Sequence, residues 1–370
     1  MYLSCKKLVL LLCVFFVSAT VNAESLEQTD FFFQTDIAEI PGDTLTFCGE
    51  PVPFELQEVR ERFEKEILLS SWDRPQVMLW LKRSSRYFPY IEEILKENGM
   101  PDDLKYIAVA ESALRPNIRS KKGAVGYWQF ISSTGKRYGL AVNQKKDERR
   151  NFFISTQAAI TYLKDLYGIL GSWTLAAAAY NMGEEGLLAE IHEQERNDFY
   201  KLYLPEETQR YIFRILSIKL IMENPAKYGF NIKDKDYYPP ISFDTYIIES
   251  SYKIPLMLIA KAANTTFKTI KNLNPEIKGH FLEKGTHNIN IPKTGSDDFI
   301  SCYNLLLENF LSEKNNNIYI VKRGDTLYSI ARKHNVPLLS IAIWNNLNKG
   351  LHIKQGDRLI IYPKETMPDE

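Results

Sequence analysis

The 370-residue sequence predicts an α+β fold in which a mainly α-helical domain is followed by two small βααβ modules. Apolar residues between about positions 55 and 227 recur every three or four residues, as on one face of an α-helix. After the consecutive prolines Pro239 and Pro240 the pattern changes to short strands and short helices. An internal repeat at an offset of 71 pairs residues 259–261 with residues 330–332, so the C-terminal part contains two copies of one module.

Charge and histidine content argue against two large classes of protein. Lysine plus arginine and aspartate plus glutamate both number 46, which gives a net charge of zero, whereas nucleic-acid-binding proteins usually carry a basic excess. The five histidines are not spaced so that one helical turn could offer two of them to a metal ion. We therefore expect neither a nucleic-acid partner nor a metal site.

The first 23 residues have the pattern of a secretory signal peptide. Lys6 and Lys7 precede an apolar run over residues 8–17, and a stretch of mostly small residues ends at Ala23. The run is short for a bilayer-spanning helix, although an N-terminal membrane anchor is an alternative interpretation. A lipid-anchored Cys13 is a second alternative, and the bulky leucine before it disfavours that interpretation.

The chain divides into five predicted segments: the signal peptide 1–23, an irregular lead-in and helical extension 24–95, the central helical domain 96–230, and the two modules 241–293 and 318–364. Cleavage after Ala23 would leave Cys48 and Cys302 as the remaining cysteines. They could form a disulfide bond in an oxidising compartment, and two separate thiols are an equally open interpretation.

One glutamate stands out on the helix that begins after Pro101. Leu104, Ile107, Ala108 and Glu111 are spaced i, i+3, i+4 and i+7 and therefore share one face. A carboxylate on this apolar face is either desolvated or lines a cleft, and desolvation raises its pKa toward the range that suits a general acid. The alternative is a buried glutamate balanced by an arginine or by backbone groups. Other acidic residues of this domain lie in charge-rich runs that we expect to be solvated: Asp147, Glu148, Glu206 and Glu207.

Further segments of the helical domain offer side chains suited to a polar, ring-shaped ligand. A glycine-hinged loop carries Trp128 and Gln129, which supply a flat ring face and an amide. Tyr180 and Asn181 follow an alanine-rich helix, and Tyr211 lies near the start of a later helix. The plain alternative is that Trp128 and Tyr180 belong to the core and that Tyr211 is an ordinary residue of an amphipathic helix.

The second module is the clearer copy of the repeat. Residues 318–321 predict a strand, residues 324–326 a turn that caps a helix, and residues 358–362 a closing strand. The segment resembles the LysM module, a peptidoglycan- and chitin-binding domain, through Tyr319-Ile320-Val321, Gly324-Asp325-Thr326-Leu327, Ile330-Ala331, Trp344-Asn345 and Gly356-Asp357. The resemblance implies glycan contacts at Gly324, Asp325, Thr326, Leu327 and Asn345. The first copy has Ser251-Tyr252-Lys253 in place of Gly-Asp-Thr and resembles a degenerate LysM module. A packing or spacer role is the alternative for both.

The helical domain resembles the soluble lytic transglycosylase family through motifs that occur in the family's order. These are Glu111-Ser112, Ser120, Gly126-Tyr127-Trp128-Gln129, Ala179-Tyr180-Asn181 and Glu207-Thr208-Gln209-Arg210-Tyr211. The upstream stretches Arg86-Tyr87-Phe88-Pro89 and Gly99–Leu104, with the trailing LysM units, resemble the membrane-bound D type. The family's usual Gly-Leu-Met-Gln appears here as Gly-Tyr-Trp-Gln.

The resemblance implies a goose-lysozyme-like fold, no cofactor, and peptidoglycan glycan strands as substrate and partner, in the periplasm or cell envelope. The family cleaves the β-1,4 bond between N-acetylmuramic acid and N-acetylglucosamine and leaves a 1,6-anhydromuramoyl end. By motif position, Glu111 is expected to be catalytic, and the substrate-binding residues are expected to be Ser112, Ser120, Gly126, Trp128, Gln129, Tyr180, Asn181 and Tyr211. A lysozyme-type hydrolase and a non-catalytic wall-binding protein are the alternatives.

Overall fold

The computed structural model describes residues 45–295, 297–345, 347 and 351–362. The predicted signal peptide, the start of the lead-in and the last two residues of the second module lie outside the described residues. A two-stranded hairpin of β1 (Thr46–Phe47) and β2 (Glu50–Pro51) precedes the helices. The helices of the first domain are α1 (Gln57–Trp72), α2 (Arg74–Glu97), α3 (Lys105–Ser112), α4 (Ser132–Arg137), α5 (Phe152–Leu170), α6 (Trp173–Met182), α7 (Glu184–Gln194) and α8 (Glu206–Glu223).

The short helix α3 carries Glu111 in its last turn. Pro101 is extended, and a 3₁₀ turn over Asp102–Leu104 leads into the helix, as the proline-acid pattern predicts. The helix ends because Ala113 and Leu114 both adopt left-handed backbone angles, with φ of 52° and 58°. Glu111 therefore lies next to a helix end rather than in the middle of a helix.

Small side chains bring the central helices close together. Four consecutive alanines on α6, residues 176–179, are fully buried, and α6 packs against α5, α7 and α8. Helix α8 also packs against α1 and α3, so it lies beside the helix of Glu111. Its buried face includes Tyr211, Ile212 and Ile215.

The first module encloses its own apolar core. Strand β3 (Phe243–Ser250) pairs antiparallel with β6 (Gly285–Pro292), and β4 (Ile254–Pro255) pairs with β5 (Phe281–Leu282). Helices α9 (Leu256–Ala262) and α10 (Phe267–Leu273) lie between these strands in the sequence. Helix α11 (Phe299–Asn316), which the sequence analysis did not predict, packs against α9 and leads to the second module.

The second module has the predicted order of elements. Strands β7 (Ile318–Ile320) and β8 (Arg358–Ile360) pair antiparallel around α12 (Leu327–Lys333) and α13 (Leu338–Trp344). Its core includes Val321, Leu327, Ile330 and Ile341. The predicted α+β class is thus confirmed.

Backbone hydrogen bonds tie the first module and its linker to the helical domain. The Asp147 amide donates to the Glu276 carbonyl at 2.8 Å, and the Lys278 amide donates to the Lys145 carbonyl at 2.8 Å. In the linker, the Tyr238 amide donates to the Lys82 carbonyl at 3.0 Å. The two parts share a short stretch of antiparallel pairing.

Cys48 and Cys302 are both free thiols in the structure. Among the described helices, none combines the length and apolar content that crossing a bilayer requires.

Candidate active site

Glu111 is partly buried and has one close side-chain partner from a neighbouring helix. The Tyr211 hydroxyl, on α8, donates to Glu111 Oε1 at 2.5 Å. Burial raises the pKa of Glu111 from 4.5 to about 7, while the Tyr211 hydrogen bond and the positive charge of Arg214 oppose the rise and Glu207 adds to it. Desolvation is the largest of these effects on the Glu111 pKa. The carboxyl group can therefore both donate and accept a proton near neutral pH.

Two tyrosines near Glu111 are neutral and act as hydrogen-bond donors. Burial and then the charge of Glu111 raise the pKa of Tyr211, whose side chain is 2% exposed, well above its ordinary range. The same two causes raise the pKa of Tyr180. The Tyr180 hydroxyl donates to the Trp128 carbonyl at 2.7 Å, which joins α6 to the loop of residues 123–130. The structure brings together Glu111, Tyr180 and Tyr211, which the sequence analysis placed in one site.

Gly126 has a position that admits no side chain. Its φ is +90°, and a Cβ built there would lie 1.7 Å from the carbonyl oxygen of Arg149. Gln129 also has a positive φ, 49°, and its amide nitrogen donates to the carbonyls of Gly126 at 2.8 Å and Ile118 at 3.2 Å. The amide group of Gln129 is thus held in a fixed orientation by the loop itself.

The side chains of Trp128 and Ser112 lie in the interior, which corrects their predicted contact with substrate. Trp128 is 0% exposed, and its indole nitrogen donates to Thr156 at 2.9 Å. The Ser112 hydroxyl donates to the Tyr127 carbonyl at 2.7 Å and so ties the end of α3 to the loop. Because the Trp128 ring is enclosed on all sides, neither of its faces can stack on a sugar. Trp128 is a core residue, which is the alternative given in the sequence analysis.

Asn181 and Ser120 both have polar groups fixed by neighbours. The Thr208 hydroxyl donates to Asn181 Oδ1 at 2.9 Å, so the Asn181 amide nitrogen is directed away from Thr208. The Ser120 hydroxyl accepts from the Ala124 amide at 3.1 Å, and this side chain is exposed. Asn181 therefore offers a donor beside α8, and Ser120 a hydroxyl at the rim of the glycine-hinged loop.

The other acidic residues named from the sequence all lie in ion pairs. The pairs are Asp147 with Arg149 at 2.8 Å, Glu148 with Lys146 at 2.6 Å, Glu206 with Lys65 at 3.8 Å and Glu207 with Lys122 at 3.5 Å. The expectation of solvation is wrong for Asp147 and Glu148, which are 4% and 9% exposed, and right for the two exposed residues on α8. An ion pair inside the fold and a solvated charge run look alike in sequence.

Sequence analysis missed two residues that act on this site. Arg214 contributes positive charge near Glu111, and its spacing of three from Tyr211 on α8 could have placed both on one side. Arg149 donates to both Asp147 carboxylate oxygens at 2.8 Å and to the carbonyls of Gly123 at 3.1 Å and Phe130 at 2.9 Å. Arg149 thereby clamps both ends of the loop that carries Gln129.

The LysM residues named from the sequence are used by the fold of the second module. Gly324 makes the turn with a φ of +86°, and Asp325 accepts from the Lys322 amide at 2.7 Å and the Tyr319 hydroxyl at 2.8 Å. Thr326 caps α12 in a reciprocal capping box with Ser329. These contacts shape the turn without excluding a ligand on its exposed surface.

Leu327 and Asn345 have side chains that the fold occupies, which corrects their predicted glycan contact. Leu327 is buried in the module core. Asn345 donates to the carbonyls of Ile341 at 2.9 Å and Ile360 at 2.7 Å and accepts from the Ile360 amide at 2.6 Å. In the first module, Asn274 makes the same set of contacts with Ile270 and Asn290.

Two segments of the chain match known families. Residues 88–203 match the family described as Transglycosylase SLT domain, and residues 319–361 match the family described as LysM domain. The membrane-bound lytic murein transglycosylase D of Escherichia coli (strain K12) is 29% identical over 337 residues, which cover 86% of this chain and 73% of that protein. The peptidoglycan transglycosylase gp16 of Escherichia phage T7 is 32% identical over 138 residues, 36% of this chain and 10% of that protein.

A solved structure, the 70 kDa soluble lytic transglycosylase from Escherichia coli, is similar to 48% of this chain and 30% of its own, with 20% identity and a TM-score of 0.33. The helices and strands themselves define the α+β class. The sequence matches are the stronger finding: the chain carries a transglycosylase SLT domain followed by a LysM domain, is homologous to membrane-bound lytic murein transglycosylase D, and is an enzyme of the lytic transglycosylase class.

Proposed function

We propose that this lytic transglycosylase cleaves peptidoglycan strands between N-acetylmuramic acid and N-acetylglucosamine and leaves a 1,6-anhydromuramoyl end. The observation that carries the proposal is Glu111, a partly buried carboxyl group with a pKa of about 7 and a hydroxyl donor, Tyr211, on one oxygen. None of the other four acidic residues named from the sequence has the desolvated, hydroxyl-bonded setting of Glu111, because Asp147 and Glu148 are buried in ion pairs and Glu206 and Glu207 are exposed.

The first step uses Glu111 as a general acid. Its proton passes to the glycosidic oxygen as the bond from that oxygen to C1 of the muramoyl residue breaks, and positive charge develops at C1. The raised pKa keeps a substantial fraction of Glu111 protonated at neutral pH. Tyr211 then stabilises the carboxylate that forms, because its hydrogen bond favours the charged state.

The second step uses the same group as a base. Glu111 accepts the proton of the muramoyl 6-hydroxyl while that oxygen bonds to C1, which returns the acid to its starting form and closes the 1,6-anhydro ring. Most glycosidases need a second carboxylate for a nucleophile or to activate water. Here the substrate's own hydroxyl supplies the nucleophile, so one carboxyl group suffices.

The polar groups around Glu111 have orientations suited to holding sugar rings. The Asn181 amide nitrogen and the Gln129 side chain are fixed by Thr208 and by loop carbonyls, and they would hold acetamido or hydroxyl groups. Ser120 would contact the strand at the rim, and Tyr180 shapes the cleft through its bond to the loop. Gly126 lets the loop backbone pack closely enough to set this geometry.

The second module would hold the enzyme on the wall, in the periplasm or cell envelope. A tethered second binding site raises the local concentration of substrate without any new contact at the active site. Truncation after residue 317 should therefore weaken binding to sacculi and slow their digestion while sparing activity on short soluble strands. Equal loss on both substrates would contradict the anchoring role.

Mass spectrometry of digested sacculi tests the reaction. The wild-type protein should release fragments with anhydro ends, one water lighter than hydrolysis products, and Glu111→Gln should release none. Fragments with reducing ends would instead identify a lysozyme-type hydrolase. Intact sacculus binding with no fragments from the wild type would identify a non-catalytic wall-binding protein.

A further inference from the structure

A cavity of about 550 Å³ lies between the helical domain and the first module, on the backbone pairing that joins them. Four cationic side chains line it: Arg86 and Arg150 from the helical domain, and Lys271 and Lys278 from the module. The amides of Asn117 and Asn272 add hydrogen-bonding groups. No aspartate or glutamate is among the lining residues, so the cavity favours an anion.

Two acidic groups behind the wall, Asp147 and Glu276, offset part of this charge. Asp147 Oδ2 is 3.9 Å from Arg150 Nε, but Arg149 already binds both Asp147 oxygens at 2.8 Å. Arg150 Nε is buried and donates no hydrogen bond to any described residue. Burial lowers the pKa of Lys271; the charge of Glu276 opposes this effect, and the smaller effect of Arg150 adds to it. Each of the four cations also donates one hydrogen bond within the protein and keeps further N–H donors. The acceptors are the Pro239 carbonyl for Arg86, Asn117 Oδ1 for Arg150, the Ile277 carbonyl for Lys271 and the Asn143 carbonyl for Lys278.

The cavity lies within reach of the catalytic carboxyl group. Pro116 and Asn117, which line it, follow Glu111 by five and six residues, and six residues span at most about 21 Å even when fully extended. Two further cations lie along the way. Arg83 donates to the Ala113 carbonyl at 3.0 Å, and Arg115 donates to the Ser112 carbonyl at 3.1 Å. The charges of Arg115 and of Arg86, which lines the cavity, both act on Arg83, so these cations lie near one another between the end of α3 and the cavity.

We propose that this interdomain cavity binds a carboxylate of the peptide attached to the muramoyl residue of the strand under cleavage. The inference rests on the proposed function, because it deepens the description of that substrate. The stem peptides of peptidoglycan carry several carboxylates and project from every second sugar. Charge-assisted hydrogen bonds from arginine and lysine are among the strongest that such a group can receive, and the volume lies within the range of sites for small ligands.

The first module then has a role other than sugar binding. Two of its lysines complete a site whose other half belongs to the helical domain, and its own turn lacks the Gly-Asp-Thr sequence of the second module. The backbone bonds from Asp147 and Lys278 hold both halves in register. The enzyme would in this way prefer strands whose peptides are present and charged.

The test uses the full-length chain and three kinds of soluble strand: with intact peptides, with amidated peptide carboxyl groups, and with the peptides removed by an amidase. Lys271→Gln/Lys278→Gln is compared with Lys268→Gln/Lys284→Gln, whose lysines lie exposed in the same module outside the cavity. The first variant should lower kcat/KM on intact strands by about threefold to tenfold, mainly through KM, as expected for losing charged contacts. Its activity on the other two strands, and the control variant on all three, should stay within twofold of wild type.

A binding measurement separates this inference from the proposed reaction. Fluorescence anisotropy of the same labelled strands on the Glu111→Gln background should show tighter binding of intact strands, and the two cavity substitutions should abolish that preference. If the preference survives them, or if binding weakens equally for all three strands, the cavity does not bind the peptide carboxylate. A preference that is present while the wild type releases no anhydro fragments would support the cavity and overturn the reaction.

Discussion

In the candidate active site, Glu111 is held in an environment that opposes its charge, whereas Thr326 and Asn345 in the second module make hydrogen bonds that stabilise their fold. Both sets of residues belong to recognisable motifs. The difference shows in what surrounds them, because Glu111 has a raised pKa and one hydroxyl partner, while both ends of the Asn345 amide are bonded to backbone. A motif residue that destabilises the fold indicates a role in catalysis, and a motif residue that stabilises the fold indicates a structural role.

The largest effect should come from Glu111→Gln, with activity and stability changing in opposite directions. Loss of a general acid should lower kcat by about 10²- to 10⁴-fold. The unfolded carboxyl group ionises near pH 4.5 and the folded one near 7, so the charged form destabilises the fold increasingly between those values. The variant should therefore be more stable than wild type at pH 7 by up to roughly 3 kcal/mol, and equal to it below pH 4.

Calorimetric unfolding at pH 4 and pH 7 checks this prediction. Glu206→Gln, an exposed carboxylate at the start of α8, is the matched control and should leave both properties within experimental error of wild type. A Glu111→Gln protein that is less stable at pH 7 would place Glu111 among the structural residues.

Tyr211→Phe should lower activity by about tenfold at neutral pH, because the carboxylate formed in the first step loses its donor. The Tyr211 hydrogen bond opposes the rise in the Glu111 pKa, so its removal raises that pKa further. The alkaline limb of the pH–rate profile should accordingly shift to higher pH. Tyr203→Phe, on an exposed side chain, is the control, and an unshifted limb would contradict the assignment.

Asn345→Ala should destabilise the second module by about 1–2 kcal/mol without affecting activity on short soluble strands. The equivalent Asn274→Ala should have the larger effect in the first module because Asn274 is fully buried. Hydrogen exchange of β8 and β6 amides measures each module separately. Asn304→Ala on the exposed face of α11 is the control, and loss of soluble-strand activity in Asn345→Ala would refute the separation of roles.

The smallest effect should come from Thr326→Ala, which removes the N-cap of α12 and should reduce protection of that helix by about 1 kcal/mol. Thr326→Ser keeps the hydroxyl and should restore it. Exchange rates of the amides of residues 329–331 provide the measurement. If serine fails to rescue, the side chain acts through its methyl group and not as a cap.

Periodicity in the sequence was sufficient to predict a mainly helical region over about residues 55–227 and the position of Glu111 on a helix after Pro101. It could not predict the two-residue strands β4 and β5, which have no repeating pattern, or α11, which follows the first module without a recognisable motif. Residue type alone also could not decide between core and cleft for Trp128, since an indole suits both. The choice depended on Thr156, a residue 28 positions away whose hydroxyl meets the indole inside the fold.

Pairing of the Asp147 amide with Glu276 has a mechanical consequence. Arg149 donates hydrogen bonds to the Asp147 carboxylate. It also donates to the carbonyls of Gly123 and Phe130, at the two ends of the loop that carries Gln129. A displacement of Glu276 in the first module would therefore act on that loop through Asp147 and Arg149. If the second module holds the enzyme on the wall as proposed, movement of the first module would change the position of the loop proposed to contact the sugars.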